Sequence, residues 1–221
     1  MEKLLAIGQD ISRLLSGTDI SPLYVGHFTR EAARKTHDDK QLPAGVRQVV
    51  DSLEGLRQVT QIYHVDSAYY SWPLHQRALC MLAPSPSHLC KTVVLENKKW
   101  RPDDPRSGPQ HICVLVQYTQ SIDTGALADF VRSQLEDPLA RKHFNYRLTS
   151  PEKSFELTGF SNNAVSPIGM THQLPIVLCE SIARLQPPVF WLGAGHIDYK
   201  LAMPVDHFIK ATACMVADVS N

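Results

Sequence analysis

Seven short runs of β-branched and other apolar residues lie between Val59 and Val219, and they constrain the fold more than any other feature. Runs of this length, bounded by turn residues, predict strands. The predicted strands are Val59–Val65, Leu89–Leu95, Ile112–Tyr118, Ile176–Cys179, Val189–Leu192, Tyr199–Met203 and Met215–Val219. Helical patterns separate only some of them, over Thr124–Leu135, Pro151–Leu157 and Pro204–Thr212. Because strands and helices do not alternate one to one, we expect an α+β fold with a mixed β-sheet or open barrel flanked by helices.

The chain before Val59 has a different pattern. Apolar residues recur at helical spacing over residues 4–15 and again from Val46 to Leu56, which predicts two amphipathic helices. We therefore divide the chain into an N-terminal helical extension, residues 1–58, and a main domain, residues 59–221. The extension is expected to be a helical layer packed on the main domain, and the alternative is an arm that binds a partner.

The balance of charges limits the classes of function. Lys and Arg together number 22, as do Asp and Glu, so the formal net charge is +0. A neutral chain is not a general nucleic-acid coat, because non-specific affinity comes from neutralising phosphates. One local basic patch could still contact RNA.

Cysteine usage and short motifs set the remaining limits. The five cysteines are odd in number and widely spread, which is typical of reduced thiols in a cytoplasmic protein. Neither Cys-x-x-Cys nor His-Glu-x-x-His occurs, so we expect no metal site and no cofactor. No apolar run approaches the ~20 residues that span a bilayer, and the N-terminus is not typical of a secretory signal.

Lys91 is the first candidate functional residue. Strand alternation places it on the same face as Leu89, Val93 and Leu95. A lysine among apolar neighbours is costly unless its ammonium reaches water or an anion. Two interpretations remain open, a lysine that extends to solvent from a strand end and a lysine that points into a pocket that receives a phosphate.

The segment Gly159–Met170, called the signature loop below, is the second candidate. It contains two glycines, two asparagines, two serines and one proline, and it has no charged side chain. Such a loop can bring its own N–H groups and small side chains against a ligand, although a tight surface turn has a similar composition. Ser166 precedes Pro167, so its backbone is expected to be extended or in a turn.

A third candidate is the turn Gly193–Asp198, which follows a predicted buried strand. A Gly-x-Gly at a strand end is weak evidence alone, since many strand-to-strand turns contain it. It lacks the third glycine and the following helix of a dinucleotide site.

These three elements resemble the YbaK family, which comprises trans-acting aminoacyl-tRNA deacylases and the editing domain inserted in bacterial prolyl-tRNA synthetases. Lys91-Thr92-Val93-Val94 is similar to the family's lysine-bearing strand. The family's Gly-x-x-x-Pro falls on Asn163–Pro167, with asparagine in place of the first glycine. The resemblance covers Tyr69–Val219 and is greatest to eukaryotic-type members that have an N-terminal helical extension.

The resemblance implies a hydrolase that cleaves the ester of mischarged tRNA without a cofactor. It implies catalytic roles for Lys91, Ser166 and Gly193, with Lys91 at the 3′-terminal phosphate or ribose of the acceptor end. Backbone N–H groups of the two loops would stabilise the oxyanion, and the vicinal hydroxyl of the tRNA would help to position or activate water. The residues expected to hold the aminoacyl group are Asn163, Ala164, Val165, Pro167, Ala194, Gly195, His196 and Asp198.

The expected partners are the tRNA acceptor end and, through the N-terminal helices, aminoacyl-tRNA synthetases, with no membrane. Asparagine tolerates left-handed backbone angles, so the loop is expected to keep its shape at Asn163, where the side chain would occupy space that glycine leaves free. This departure motivates a second hypothesis, a tRNA- or synthetase-binding module with little catalysis. A hydrolase of small esters or amides is a third.

Overall fold

The computed structural model describes residues 42–221, so the helix predicted over residues 4–15 lies outside the described part of the chain. Eight strands occur in this part, namely β1 Gln61–His64, β2 Cys90–Asn97, β3 His111–Gln117, β4 Tyr146–Leu148, β5 Ile176–Cys179, β6 Val189–Gly193, β7 Tyr199–Pro204 and β8 Met215–Ala217. The α-helices of the same part are α1 Ala44–Asp51, α2 Leu74–Cys80, α3 Thr124–Ser133, α4 Pro151–Thr158, α5 Glu180–Ala183 and α6 Val205–Thr212. None of these helices is long and apolar enough to cross a membrane.

The strands form two sheets. The larger has the order β4-β2-β3-β5-β8, antiparallel from β4 to β3 and parallel from β3 to β8. The smaller is antiparallel, with the order β1-β7-β6. A single parallel bridge between Leu89 and Trp191 joins the two sheets, which do not close into a barrel. The expected α+β fold with a mixed sheet is confirmed, and every predicted strand run overlaps a strand. The short strand β4 and the helices α2 and α5 were not predicted.

The core lies mainly around the larger sheet. All seven residues of β3 are buried, because this strand has a neighbour on each edge, contacts α5 and lies within the main core. A second, smaller cluster of buried side chains lies under the small sheet and includes Tyr63, Tyr69, Leu89, Trp191 and Ala202.

Helix α4 ends where the signature loop begins, and its caps set that point. The Ser150 hydroxyl accepts a hydrogen bond from the Lys153 N–H, and Pro151 occupies the first turn. Gly159 ends the helix with φ of 77°, a left-handed conformation that glycine adopts without strain. The composition of Thr149–Glu152 predicts a capping box, but the N-cap is Ser150 and its bond to Lys153 is not reciprocated by a side chain, so only a simple N-cap forms. The glycine stop expected at Gly159 is present.

Helix α1 packs on the main core. Val46 and Val49 are fully buried, and Leu53, just after the helix, is 2% exposed. The helix ends at Asp51, earlier than the predicted Leu56, and Gly55 lies beyond it at φ 79°, outside the helical region. The division of the chain at residue 58 remains a proposal.

Candidate functional site

A cavity of about 400 Å³ opens at the junction of the two sheets. Its position follows from the pairing of β2. On one edge, β2 pairs with β4 from Leu95 onward, and Leu89, the residue just before β2, forms a bridge with Trp191 of β6. Residues 90–94 between those points have no strand partner on that edge, and all five line the cavity.

The same pairing directs backbone groups of β2 toward the open edge. The Val94 carbonyl accepts a hydrogen bond from the Thr149 N–H at 3.0 Å, on the side away from β3. Because backbone groups along a strand alternate sides, the N–H and C=O of Thr92 point to that side too. The buried hydroxyls of Thr92 and Thr149 have no hydrogen-bond partner among the described residues, and both residues line the cavity. The backbone groups of Thr92 at this open edge therefore are polar groups that a ligand can satisfy.

Lys91 lies in this wall and is half-buried. Its Nζ lies 5.8 Å from the ring centroid of Tyr118, and within residues 42–221 it forms no hydrogen bond and no ion pair. Of the two interpretations of the sequence, the geometry favours a lysine directed at a pocket.

The first half of the signature loop forms a second part of the wall. Asn162, Asn163 and Val165 line the cavity. Asn163 has φ of 63°, so the left-handed conformation expected for this asparagine is present. The Tyr70 hydroxyl donates a hydrogen bond to the Asn163 carbonyl at 3.0 Å and thereby fixes the loop to the opposite side of the cavity.

The other members of this loop that were predicted as site residues lie behind the wall. Ala164 and Ser166 are fully buried, Pro167 is buried as well, and none of the three lines the cavity. The Ser166 hydroxyl accepts a hydrogen bond from the Ile168 N–H at 3.2 Å. The contacts of these residues shape the loop from within.

The glycine turn packs closely against the signature loop. Gly193 lines the cavity, and a Cβ there would lie 2.7 Å from the Val165 carbonyl oxygen. The Gly195 N–H donates to the Ala164 carbonyl at 3.1 Å, and the Ala194 N–H donates to the Tyr199 carbonyl at 3.2 Å. Gly193 therefore has to lack a side chain for the loop to occupy this position.

His196 and Asp198 do not line the cavity. The His196 Nδ1 accepts a hydrogen bond from the Asp198 N–H at 3.2 Å, and the Asp198 carbonyl accepts from the Val65 N–H at 2.8 Å. Both residues stabilise the turn that leads into β7. Of the eleven site residues predicted from the sequence, the structure thus brings four to the cavity, which are Lys91, Asn163, Val165 and Gly193.

Sequence reasoning missed the opposite wall, formed by Tyr69, Tyr70, Tyr118 and Lys200. The Arg77 guanidinium carbon lies 5.5, 5.3 and 5.9 Å from the ring centroids of the three tyrosines. Arg77 also donates to the Tyr70 carbonyl at 2.6 Å and the Trp72 carbonyl at 2.8 Å, so it holds this wall together.

Lys200 is the least expected residue of the site. It is 4% exposed and lies on β7, directly opposite Gly193 of β6. Burial lowers the pKa of its ammonium to about 7, with Arg77 adding to this effect and Asp198 opposing it. The alternation argument that singled out Lys91 could have found Lys200, because it too is a lysine within a mainly apolar strand.

The side chains that line the cavity include two lysines and no carboxylate. Such a lining favours an anionic ligand. Residues 42–221 contain no group of three side chains suited to bind a metal ion.

Fold and site together define an α+β domain with a basic cavity between its two sheets. The family model for the aminoacyl-tRNA editing domain matches residues 76–211, well over half of the chain. The chain therefore belongs to the aminoacyl-tRNA editing domain family, and the resemblance to YbaK-type proteins is confirmed.

Solved structures support the fold. A candidate trans-editing enzyme for prolyl tRNA synthetase is similar with a TM-score of 0.65 and 21% identity, over 82% of this chain and 99% of that one. A chain from work on epitope grafting onto scaffold proteins is similar with a TM-score of 0.64 and 19% identity, over 81% and 99%. No curated protein matches the sequence.

Proposed function

We propose that the protein is an aminoacyl-tRNA deacylase that acts in trans in the cytoplasm and hydrolyses the ester bond of mischarged tRNA. The observation that carries the proposal is the convergence of Lys91, the Asn162–Val165 segment and Gly193 on one basic cavity in a chain of the editing-domain family.

Lys91 is assigned to the acceptor end. Its side chain has no protein partner among the described residues and lies at a cavity whose lining contains no carboxylate. A lysine in this position can bind the 3′-terminal phosphate. The terminal ribose is assigned to the hydroxyls of Thr92 and Thr149, which have no hydrogen-bond partner among the described residues.

Oxyanion stabilisation is assigned to backbone donors at the cavity. The N–H groups of Ala164, Ala194 and Gly195 already donate within the protein. The assignment therefore rests on the N–H groups of Asn163 and Val165 in the loop and of Thr92 on the open edge of β2.

Under this proposal, the other predicted site residues shape the cavity and do not contribute a reacting side chain. Because Gly193 has no side chain, it leaves space for the aminoacyl group. The hydrogen bond of Ser166 fixes the conformation of the loop behind that space. The turn that carries Gly193 is stabilised by four further residues, which are Ala194, Gly195, His196 and Asp198. The vicinal hydroxyl of the tRNA would help to position the attacking water.

The test is a deacylation panel in which alanine, serine, cysteine and threonine are each esterified to non-cognate tRNA. We expect the wild type to release at least one amino acid and Lys91→Ala to lose at least 100-fold in rate. Lys142→Ala, at an exposed lysine, is the matched control and should keep the wild-type rate. The proposal fails if the wild type at high concentration cleaves none of the esters faster than Lys91→Ala does.

A module that binds tRNA or a synthetase with little catalysis is the second candidate, favoured by Asn163 at the position of a family glycine. Its test is capture of synthetases from a lysate by the full chain and by a chain that lacks residues 1–41. This deletion removes neither α1 nor any of the described core residues. Loss of capture, combined with an inactive full-length protein, would favour this candidate.

A further inference from the structure

Lys200 lies where its side chain faces the cavity from the small sheet. Its Cα is paired with Gly193 of β6 and with Tyr63 of β1, so Lys200 is on the central strand of that sheet. Paired residues in a sheet share a face, and Gly193 on this face also lines the cavity. Because Gly193 has no side chain, nothing from its position covers Lys200.

The hydrogen bonds of Lys200 leave one direction of its nitrogen open. The Nζ donates to the Ile197 carbonyl at 2.6 Å and to the Tyr199 carbonyl at 3.3 Å. A neutral amine has two N–H groups and one lone pair. With both N–H groups held by carbonyls, the lone pair occupies the remaining direction. Within residues 42–221, no carboxylate lies close enough to Lys200 to form an ion pair.

The surroundings of Lys200 favour reversible protonation of its amine near neutral pH. The rings of Tyr69 and Tyr70 lie 5.1 and 4.8 Å from its Nζ. Burial is also the main cause that raises the pKa values of these tyrosines and of Cys80 and Tyr63, so they stay neutral near pH 7. The charged groups around it are then Arg77 of α2, Asp198 of the preceding turn and Lys91 across the cavity. The pKa of about 7 for Lys200 makes both protonation states accessible at neutral pH.

We propose that Lys200 is the proton acceptor for the attacking water in the deacylation reaction, an inference that rests on the proposed function. The amine of Lys200 takes a proton from water while the water oxygen bonds to the ester carbonyl carbon. The tetrahedral intermediate then collapses, and the carbonyl carbon–ribose oxygen bond breaks. The ammonium returns the proton to the leaving ribose oxygen, which yields the free amino acid and a tRNA with a free terminal hydroxyl.

The test is a single-turnover pH–rate profile with the aminoacyl-tRNA that the wild type cleaves fastest, corrected for spontaneous hydrolysis. We expect the wild-type rate to rise with pH and to level off above a midpoint near 7. Lys200→Met and Lys200→Arg should each lose at least 100-fold in the rate at saturation, with little change in the substrate concentration for half-saturation. Lys210→Met, at an exposed lysine of α6, is the control.

Lys200→Arg separates proton acceptance from charge and from support of the two carbonyls. An arginine keeps a positive charge and can donate hydrogen bonds, but it does not lose its proton near neutral pH. A Lys200→Arg rate within a few fold of wild type, or a variant profile with the wild-type midpoint, would overturn the proposal.

A measurement that does not use activity covers variants that fail to fold. Wild-type protein labelled with ¹³C at the lysine ε carbon can be titrated by NMR, with the Lys200 signal assigned through bonds from its backbone amide. A midpoint near 7 supports the proposal, and a midpoint above 9 for every lysine would overturn it. No cleavage of any ester by the wild type would contradict the proposed function itself, whereas cleavage that survives in Lys200→Met would contradict the role of Lys200 alone.

Discussion

The two halves of the signature loop differ in what they contact. The outward half, residues 162–165, has Asn162, Asn163 and Val165 at the cavity. The inward half, residues 166–169, is largely buried, and the carbonyl of its last residue, Gly169, accepts a hydrogen bond from the Gln48 amide of α1. One short segment of nearly uniform composition therefore combines a surface that lines the cavity with an anchor in the core.

The uncharged composition of the loop therefore has two separate causes, one in each half. In the outward half, small polar residues leave room and backbone donors for a ligand. In the inward half, charge is absent because a buried charge would lack a partner. Substitutions in and around each half test whether the outward half affects the deacylation rate and the inward half affects stability.

Gly193→Ala should have the largest effect, because it perturbs the outward half directly. The added Cβ would lie 2.7 Å from the Val165 carbonyl oxygen, so the loop must move. A displacement of about 1 Å at a reacting centre can cost 100-fold in rate, and overpacking costs about 1–3 kcal/mol in stability. Deacylation rates and urea unfolding measure both effects.

The control for Gly193→Ala is Gly55→Ala, since a Cβ at Gly55 meets nothing within 4 Å. Gly55 has φ of 79°, so its substitution tests the cost of backbone strain without a contact in the site. We expect its rate to equal that of wild type. A wild-type rate in Gly193→Ala would show that the outward half tolerates displacement and would remove it from the proposed mechanism.

Gly195→Ala should act on the packing of the glycine turn against α1 and is expected to have the second-largest effect. Gly195 has φ of 82°, and a Cβ there would overlap the Gly45 carbonyl oxygen at the start of α1. Strain and overpacking together should lower the free energy of unfolding by about 2–4 kcal/mol. Urea unfolding tests this value, and a loss below 1 kcal/mol would mean that α1 is not held firmly against the turn.

The sequence predicted the strands well because their signal is local. Alternation and β-branched residues mark each strand run, and the Ser150 cap and Gly159 mark both ends of α4. Strand β4 escaped because it has only three residues, and two of them are exposed.

Only the part of the site that is encoded by adjacent residues was predicted from the sequence. Lys91 and the signature loop can be recognised from adjacent residues, whereas the wall of Tyr69, Tyr70 and Lys200 comes from segments far apart in the chain. The hydrogen bond from Tyr70 to Asn163 spans 93 positions, and no local pattern encodes it. Burial of Lys200 likewise depends on Tyr69 and Tyr70, whose rings lie beside its ammonium although they are about 130 positions away in the chain.

Ser166→Ala tests the inward half alone, because it should change stability without changing the deacylation rate. The substitution removes the acceptor for the buried Ile168 N–H and should cost about 1–2 kcal/mol in stability. The deacylation rate should stay within about threefold of wild type, because Ser166 does not line the cavity. Ser161→Ala, at an exposed position of the same loop, is the control. A folded Ser166→Ala protein that has lost 100-fold in rate would instead assign the hydroxyl a direct part in catalysis.

Asn163→Gly should have the smallest effect on stability, within about 0.5 kcal/mol, because glycine adopts φ of 63° without strain. Asn163→Ala should cost about 1 kcal/mol more at the same φ. Any change in the deacylation panel for Asn163→Gly would then reflect the lost side chain and not a moved backbone. We expect the glycine variant to accept threonine esters a few fold better relative to alanine esters, because the cavity gains volume where Asn163 lines it. An unchanged order of substrates would show that the asparagine side chain leaves specificity unaffected and that the outward half acts through its backbone alone.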